Sequence, residues 1–443
     1  MRDTTDGSIM KNILHLSWPT MIAMLLHVGF NIVDAIFVGR IGPKAIAAVS
    51  IVFPVVFLMF SLGVGIGIGA ASLIARYIGA KKVKEANNAA EHSFIIAIAV
   101  SVLFTIFGLL FAKEMFMLIG AKPDVVDLAV KYSRWIFGFN IFMFLGMISN
   151  NVLRGLGNMK LPMIGMVTGT LLNIILDPLL IFGIGFFPAL GVEGAAIATV
   201  VSRFSSAVLM LGFIFSSKTA ISIKPRDFIF KPIFIKEILR VGIPASLYRS
   251  IMSFTMLAFT KIVSYFGSVA IAAYGVGFRI QSVVVLPVIA IATAVITIVG
   301  QNVGAKNFKR AEKTVWISVK ISAFFVFLIS LILFSFPKLI YGVFTNDPQL
   351  IRYGIGFLRI MSFSYIFMTV SIIIGGAFQG AGHAMPTLVV NMIRSFIFGI
   401  PLALFFAFIL GWGLNGVWVG IALAAIISSF ISIFWFKKGS WKR

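Results

Sequence analysis

Ile46-Ala47-Ala48 and Gly79-Ala80-Lys81 reappear as Ile271-Ala272-Ala273 and Gly304-Ala305-Lys306, 225 residues later and without a gap. Pro19 pairs with Pro244, Gly42 with Gly267, Gly155 with Gly380 and Gly157 with Gly382 at the same offset. Gly191 and Gly194 match Gly413 and Gly416 at an offset of 222. Self-similarity on this scale means a duplicated structural unit. Apolar runs between Gly, Pro and Lys/Arg punctuation then divide the chain into twelve candidate membrane spans. They lie near 12–38, 45–75, 93–112, 132–153, 161–184, 192–216, 238–265, 269–300, 315–336, 353–378, 386–410 and 414–436. The expected fold is an all-α membrane protein of about 12 transmembrane helices in two six-helix lobes. An even span count gives both halves one orientation, related by a pseudo-two-fold axis along the membrane normal, as in many secondary transporters. The expected boundaries are 1–216 for the N-terminal lobe, 217–236 for a cytoplasmic linker and 237–443 for the C-terminal lobe.

Composition agrees with that division. Of 443 residues, 60% are hydrophobic and only 12% charged, against about a quarter charged in soluble domains. The net charge of +23 is a matter of placement. Counted on alternate sides of the spans, 22 Lys/Arg lie on one side and 7 on the other. The positive-inside rule makes the richer side cytoplasmic, with both termini inside and the protein in the cell membrane. The basic excess is therefore a topology signal, and no nucleic-acid partner is expected. The chain has no cysteine, which removes disulfides and thiol nucleophiles. Its four histidines, His15, His27, His92 and His383, are too scattered for a metal cluster. The apolar run from about Ile13 is span-length and reads as the first transmembrane helix, not a cleaved signal.

Twelve of the fourteen acids fall in tails, loops or span ends, leaving Asp34 and Asp177 within spans. A mid-membrane Asp costs about 2.5–3.5 kcal/mol on insertion scales, so such a residue is a functional candidate by default. Asn173 precedes Asp177 by four residues and shares its helical face. Pro178 denies the carbonyl of Ile174 its usual helical donor. That face gathers oxygens suited to a proton or a hard cation such as sodium. A structural carboxylate paired with Arg is the plainer alternative. Gly63-x-Gly65-x-Gly67-x-Gly69 lacks the strand–helix context and lysine of a phosphate loop, and reads as close helix packing or a hinge.

Asn31-Ile-Val-Asp34-Ala-Ile-Phe-Val-Gly39, with Gly42 and Ala47-Ala48, resembles the first-helix signature of the multidrug and toxic compound extrusion (MATE) family. Asn173-Ile-Ile-Leu-Asp177-Pro178 and Gly191-x-x-Gly194-Ala-Ala-x-Ala-Thr199 are similar to that family's fifth and sixth helices, and Arg154-Gly-Leu-Gly157 finds an echo in Gln379-Gly-Ala-Gly382. The likeness covers essentially the whole chain and is nearest the prokaryotic DinF-like branch. It implies an antiporter that exports amphipathic, cationic organic compounds against protons or sodium by alternating access. It also implies an ion-coupling site in the N-terminal lobe at Asp34, Tyr132, Asn173, Asp177 and Thr199, with Pro19 as a helix bend. Sodium, if used, would sit at Asp34, Asn173, Asp177 and Thr199. Other branches carry an acid in the seventh helix, but Asp34 faces Phe259 in the repeat, so coupling is expected to be one-sided. The resemblance puts the substrate cavity between the lobes, with Met147, Asn150, Met166 and Gln281 as candidate lining, and methionines suit a promiscuous binder. No cofactor beyond the coupling ion is expected, and the chain is read as a monomer.

Eight bases also fall within the spans: Arg134, Arg203, Arg249, Lys261, Arg279, Lys320, Arg359 and Arg394. Those near span ends can snorkel; deeper ones such as Arg249 and Arg394 need water, a partner or an anionic ligand. That excess is the feature favouring the alternative reading, a flippase for lipid-linked oligosaccharide or another envelope precursor. A membrane enzyme would need a nucleophile, metal set or carboxylate cluster, and the sequence displays none.

Overall fold

The protein is described by a computed structural model over residues 3–118, 120–216 and 228–442, without the side chains of Asn31, Ile32 and Ala35. Most of the expected linker, 217–227, lies outside the described residues. The regular elements are helices, as they must be where lipid offers the backbone no hydrogen bonds. In the first half they are α1 (Ile9–Ile41), α2 (Pro43–Gly79), α3 (Val83–Leu118), α4 (Pro123–Gly138), α5 (Asn140–Gly155), α6 (Lys160–Phe182) and α7 (Val192–Phe215). In the second they are α8 (Pro232–Ser264), α9 (Ser268–Gly304), α10 (Phe308–Ser335), α11 (Pro337–Gly342), α12 (Pro348–Gly380), α13 (Met385–Met392), α14 (Ile400–Leu404) and α15 (Gly413–Lys437). Two π-helical stretches, Ile393–Gly399 and Phe405–Ile409, continue α13 and α14 into one span.

Ten described helical spans are long and apolar enough to cross a bilayer, and the bent pair α4–α5 makes an eleventh. The twelfth expected span is α8, 33 residues long, which at ~1.5 Å per residue exceeds a hydrocarbon core of ~30 Å. Its Ser246, Tyr248, Arg249 and Ser250 dilute its hydropathy.

The repeat is visible in the backbone. Helices α2 and α9 are both 37 residues long. Gly42 precedes α2 at φ 134° and Gly267 precedes α9 at φ 96°, a region that side chains rarely enter. Both helices close on a lysine, Lys81 and Lys306, at φ 59°. The next amide bonds back five residues, Lys82 N to Tyr77 O at 2.9 Å and Asn307 N to Asn302 O at 2.8 Å, completing matched C-terminal caps.

One matched pair differs. Residues Pro348–Gly380 form a single helix, whereas their counterparts break at Phe139 with a 46° bend between α4 and α5. Side chains compete for the backbone there: the Phe137 carbonyl accepts from Thr105 Oγ1 of α3 at 2.9 Å and from Asn140 Nδ2 at 2.5 Å, and α4 ends there. The expected single span 132–153 is therefore two helices.

The chain parts into two compact units, Trp18–Ile243 and a second made of Thr4–Ser17 plus the chain from Pro244 onward. Helix α1 thus changes unit just before Pro19 and α8 changes unit at Pro244, the paired prolines of the repeat. Both helices run through their proline without interruption.

In the first unit, the glycines of α2 are packing positions. A Cβ on Gly63 would meet Met147 Sδ at 2.5 Å, one on Gly67 would meet the Asn151 amide carbon at 2.8 Å, and one on Gly69 would strike the Ile238 carbonyl. Small residues let the backbones approach where lipid supplies no hydrophobic drive. His92 closes the same unit near the start of α8. It is fully buried among Phe228, Phe230 and Phe234, its Nδ1 2.8 Å from Asn88 O while Nε2 accepts the Lys231 N–H at 2.9 Å. These bonds select the neutral Nδ1–H imidazole. His92→Phe keeps the ring and loses both bonds, which should cost about 1–3 kcal/mol. A lower thermal midpoint of the detergent-solubilised protein is the expected reading.

In the second unit, Arg310 straps down the segment before α1. Its Nε donates to Thr4 O at 3.2 Å and its Nη2 to Asp6 O at 2.7 Å and Gly7 O at 2.8 Å. Thr4, fully buried, also donates through its hydroxyl to Gln301 Oε1 at 2.6 Å. Arg310→Ala should release this strap. Limited proteolysis should then cut within residues 3–8 several-fold faster than in the unaltered protein.

Candidate functional site

The two intramembrane acids of the first unit meet. Asp34 on α1 and Asp177 on α6 lie within hydrogen-bond reach of each other. Asp177 is fully buried, and Asn173 Nδ2 donates to its Oδ1 at 2.9 Å, realising the four-residue spacing. Its Oδ2 receives no protein N–H or hydroxyl donor. Carboxylates in contact repel unless a proton or cation lies between them. The Asn173 amide turns its nitrogen to Asp177, which leaves its oxygen as an acceptor for a cation.

Tyr132 on α4 is within electrostatic range of both acids. It also packs with Phe37 and Val49 around a small apolar cluster of Val38, Ala45, Ile181, Val192 and Ala195. That cluster joins α1, α2, α6 and α7 beside the acids. It depends on a close helix approach, because a Cβ on Gly194 of α7 would strike the Leu180 carbonyl of α6.

Arg203, not among the residues expected at the site, lies close to them. It lies in α7 within electrostatic range of Asp34, Tyr132 and His27, and its Nη1 is 3.4 Å from Met143 Sδ. The signal was available: Arg203 follows Thr199 by four residues, on one helical face, and an intramembrane base needs a partner. Thr199 itself is half-buried on that face. His27 is exposed on α1, two turns before Asp34. Asn31, one turn before Asp34, has a side chain outside the description.

Of the four residues expected to line a substrate cavity, three lie in the first unit and one in the second. Met147 lies over Gly63 in the α2–α5 packing, Asn150 is buried in α5, and Met166 is 3.9 Å from the Arg154 guanidinium. Gln281 lines a cleft that lies wholly within the second unit. Among the described residues no cluster of three or more His, Asp or Glu side chains forms.

Comparison with known proteins fits this arrangement. The MatE family model matches residues 19–179 and 244–405, one match in each half of the repeat. The chain is 28% identical to the FAD transporter of Shewanella oneidensis, over 96% of its own length and 93% of that protein. It is also 28% identical to the probable multidrug resistance protein NorM of Thermotoga maritima, over 98% and 94% of the two chains. Among solved structures, MATE in its straight conformation is 30% identical and superposes with a TM-score of 0.92, covering 98% of this chain and 97% of that one. The bent conformation gives the same identity and TM-score, covering 98% and 96%. Two matched halves and agreement along nearly the whole chain place this protein in the MatE family of membrane transporters.

Proposed function

We propose that this transporter is a secondary antiporter, exporting amphipathic organic compounds in exchange for one proton or one sodium ion by alternating access. The observation that carries the reading is the contact between Asp34 and Asp177 beside Arg203. With both acids ionised and Arg203 charged, the site carries one net negative charge; one monovalent cation makes it neutral. Burial penalises the uncompensated state, so loading the ion and moving the site become linked. Ion and substrate must favour different conformations, because equal affinity for both shifts nothing.

Asn173 and Asp177 offer the side of the site on α6, and Asp34 the side carried by α1. Pro19 and Pro178 leave each of these helices short of a backbone bond, where a bend is cheap. MATE has been solved in both a straight and a bent conformation, and the family resemblance puts the bend at Pro19 of α1. Tyr132 and Thr199 complete the polar lining. By the positive-inside rule both termini lie in the cytoplasm, and the protein works as a monomer in the cell membrane.

Family resemblance favours organic cations as cargo, and a cationic dye is the first probe. In proteoliposomes, dye movement should respond to an imposed proton gradient or an imposed sodium gradient, applied separately. Movement indifferent to both would defeat the antiport reading and favour a lipid-precursor flippase.

A further inference from the structure

The second unit contains a cleft lined by residues from Met252 to Ala425. The repeat identifies it as the counterpart of the acid site. At the 225-residue offset Phe259 stands for Asp34 and Phe357 for Tyr132, and both line the cleft. At the 222-residue offset Ile421 stands for Thr199 and Ala425 for Arg203, and both line it too. In the helix between, a Cβ on Gly416 would strike Phe406 and Ala407 as one on Gly194 would strike Leu180 and Ile181, an offset of 226. Asn173 therefore corresponds to Gly399, another lining residue, and Asp177 to Ala403. The added residue is taken up by the π-helix Ile393–Gly399, a distortion often found at functional sites.

None of the acid site's polar side chains thus has a polar counterpart at its matched position in the second unit. What replaces them is aromatic and thioether surface with one cation. Arg394, on the π-helix and near the middle of the Met385–Ile409 span, lines the cleft and donates from Nη2 to Asn391 Oδ1 at 2.8 Å. No described ion pair includes Arg394. The unit's described acids after Pro244 are Glu312, paired with Lys442, and Asp347, which caps α12. A guanidinium at membrane depth with only an amide for company calls for an anion, and its planar fork suits a carboxylate held by two bonds. Phe259, Tyr274 and Phe357 offer ring faces to a flat ligand, and Met252 and Met368 offer adaptable thioether walls.

We propose that this cleft is a binding site for flat aromatic carboxylates, the anion on Arg394 and the ring system among Phe259, Tyr274 and Phe357. This adds an anionic class to the cationic cargo that the family resemblance favours and in that sense rests on the antiport reading, but the site itself is an equilibrium binding site that needs no gradient. Ion and substrate then occupy corresponding positions of two halves of one repeat.

The test uses the full-length protein in phosphatidylcholine nanodiscs, with fluorescein as the anionic probe and rhodamine 6G, whose carboxylate is esterified, as its cationic counterpart. Fluorescein anisotropy should report saturable binding that rhodamine 6G does not displace. Arg394→Gln should weaken it about ten- to a hundredfold, the range for losing a charge-assisted bond, and Arg394→Lys, keeping charge without the fork, should fall between. Equal affinity in wild type and Arg394→Gln, or displacement by rhodamine 6G at equal concentration, would overturn the proposal. If Arg394→Gln does not yield a monodisperse protein, Arg394→Lys and the two-dye competition decide it alone. Loss of fluorescein binding when phosphatidylglycerol replaces half the lipid would assign the cleft to lipid phosphate and overturn it too. The antiport reading fails separately, if Asp177→Asn still responds to ion gradients while fluorescein binding stays dependent on Arg394.

Discussion

Asp177→Asn should abolish the response of transport to both ion gradients while the protein still folds. The substitution is nearly isosteric and keeps an oxygen able to accept the Asn173 N–H bond. It removes the charge that makes the Asp34 contact dependent on a proton or cation. With Asp34 and Arg203 left as a single neutral pair, the empty site no longer differs in charge from the surrounding membrane interior, and nothing is gained by loading an ion. Coupling free energies are typically about 1–3 kcal/mol, so gradient-driven flux should fall about 5- to 150-fold. Downhill exchange of substrate, measured with no gradient, should fall much less. Asp34→Asn should act in the same direction. Gradient-dependent export by both variants at wild-type rates would remove the acid pair from the mechanism.

The sequence displays the duplication because Gly and Pro report backbone requirements directly. Gly42 and Gly267 recur because both halves need a left-handed residue before their second helix. Gly63 and Gly67 recur in no motif, yet their role follows from a neighbouring side chain on another helix. The spacing of Asn173 and Asp177 is legible for the same local reason, since four residues make one helical turn. What arises between distant segments is not legible. The break at Phe139 depends on Thr105 in another helix capturing a carbonyl. The π-helix at Ile393–Gly399 adds one residue that an ungapped comparison reads only as drift in the offset. Arg203 stood among eight intramembrane bases, and without a fold none could be matched to an acid. Approach of Asp34 to Asp177 was expected from family resemblance alone, since 143 residues separate them.

Arg203→Gln should change the number of ions that the site takes up. In the wild-type site two carboxylates face one guanidinium, so one monovalent cation brings the charge to zero. Without the guanidinium the same pair carries two negative charges, and a buried site of that charge is far costlier than one neutralised twice. The dependence of transport on ion concentration should therefore steepen, from a Hill coefficient near one toward two, with slower turnover at low ion concentration. Arg203→Lys keeps the charge while losing the geometry that reaches Met143, and should retain the shallow dependence. An unchanged coefficient in Arg203→Gln would mean that Arg203 only fills space between α4 and α7. A steeper one would show that this base, and not a third acid, sets the charge against which the coupling ion is counted.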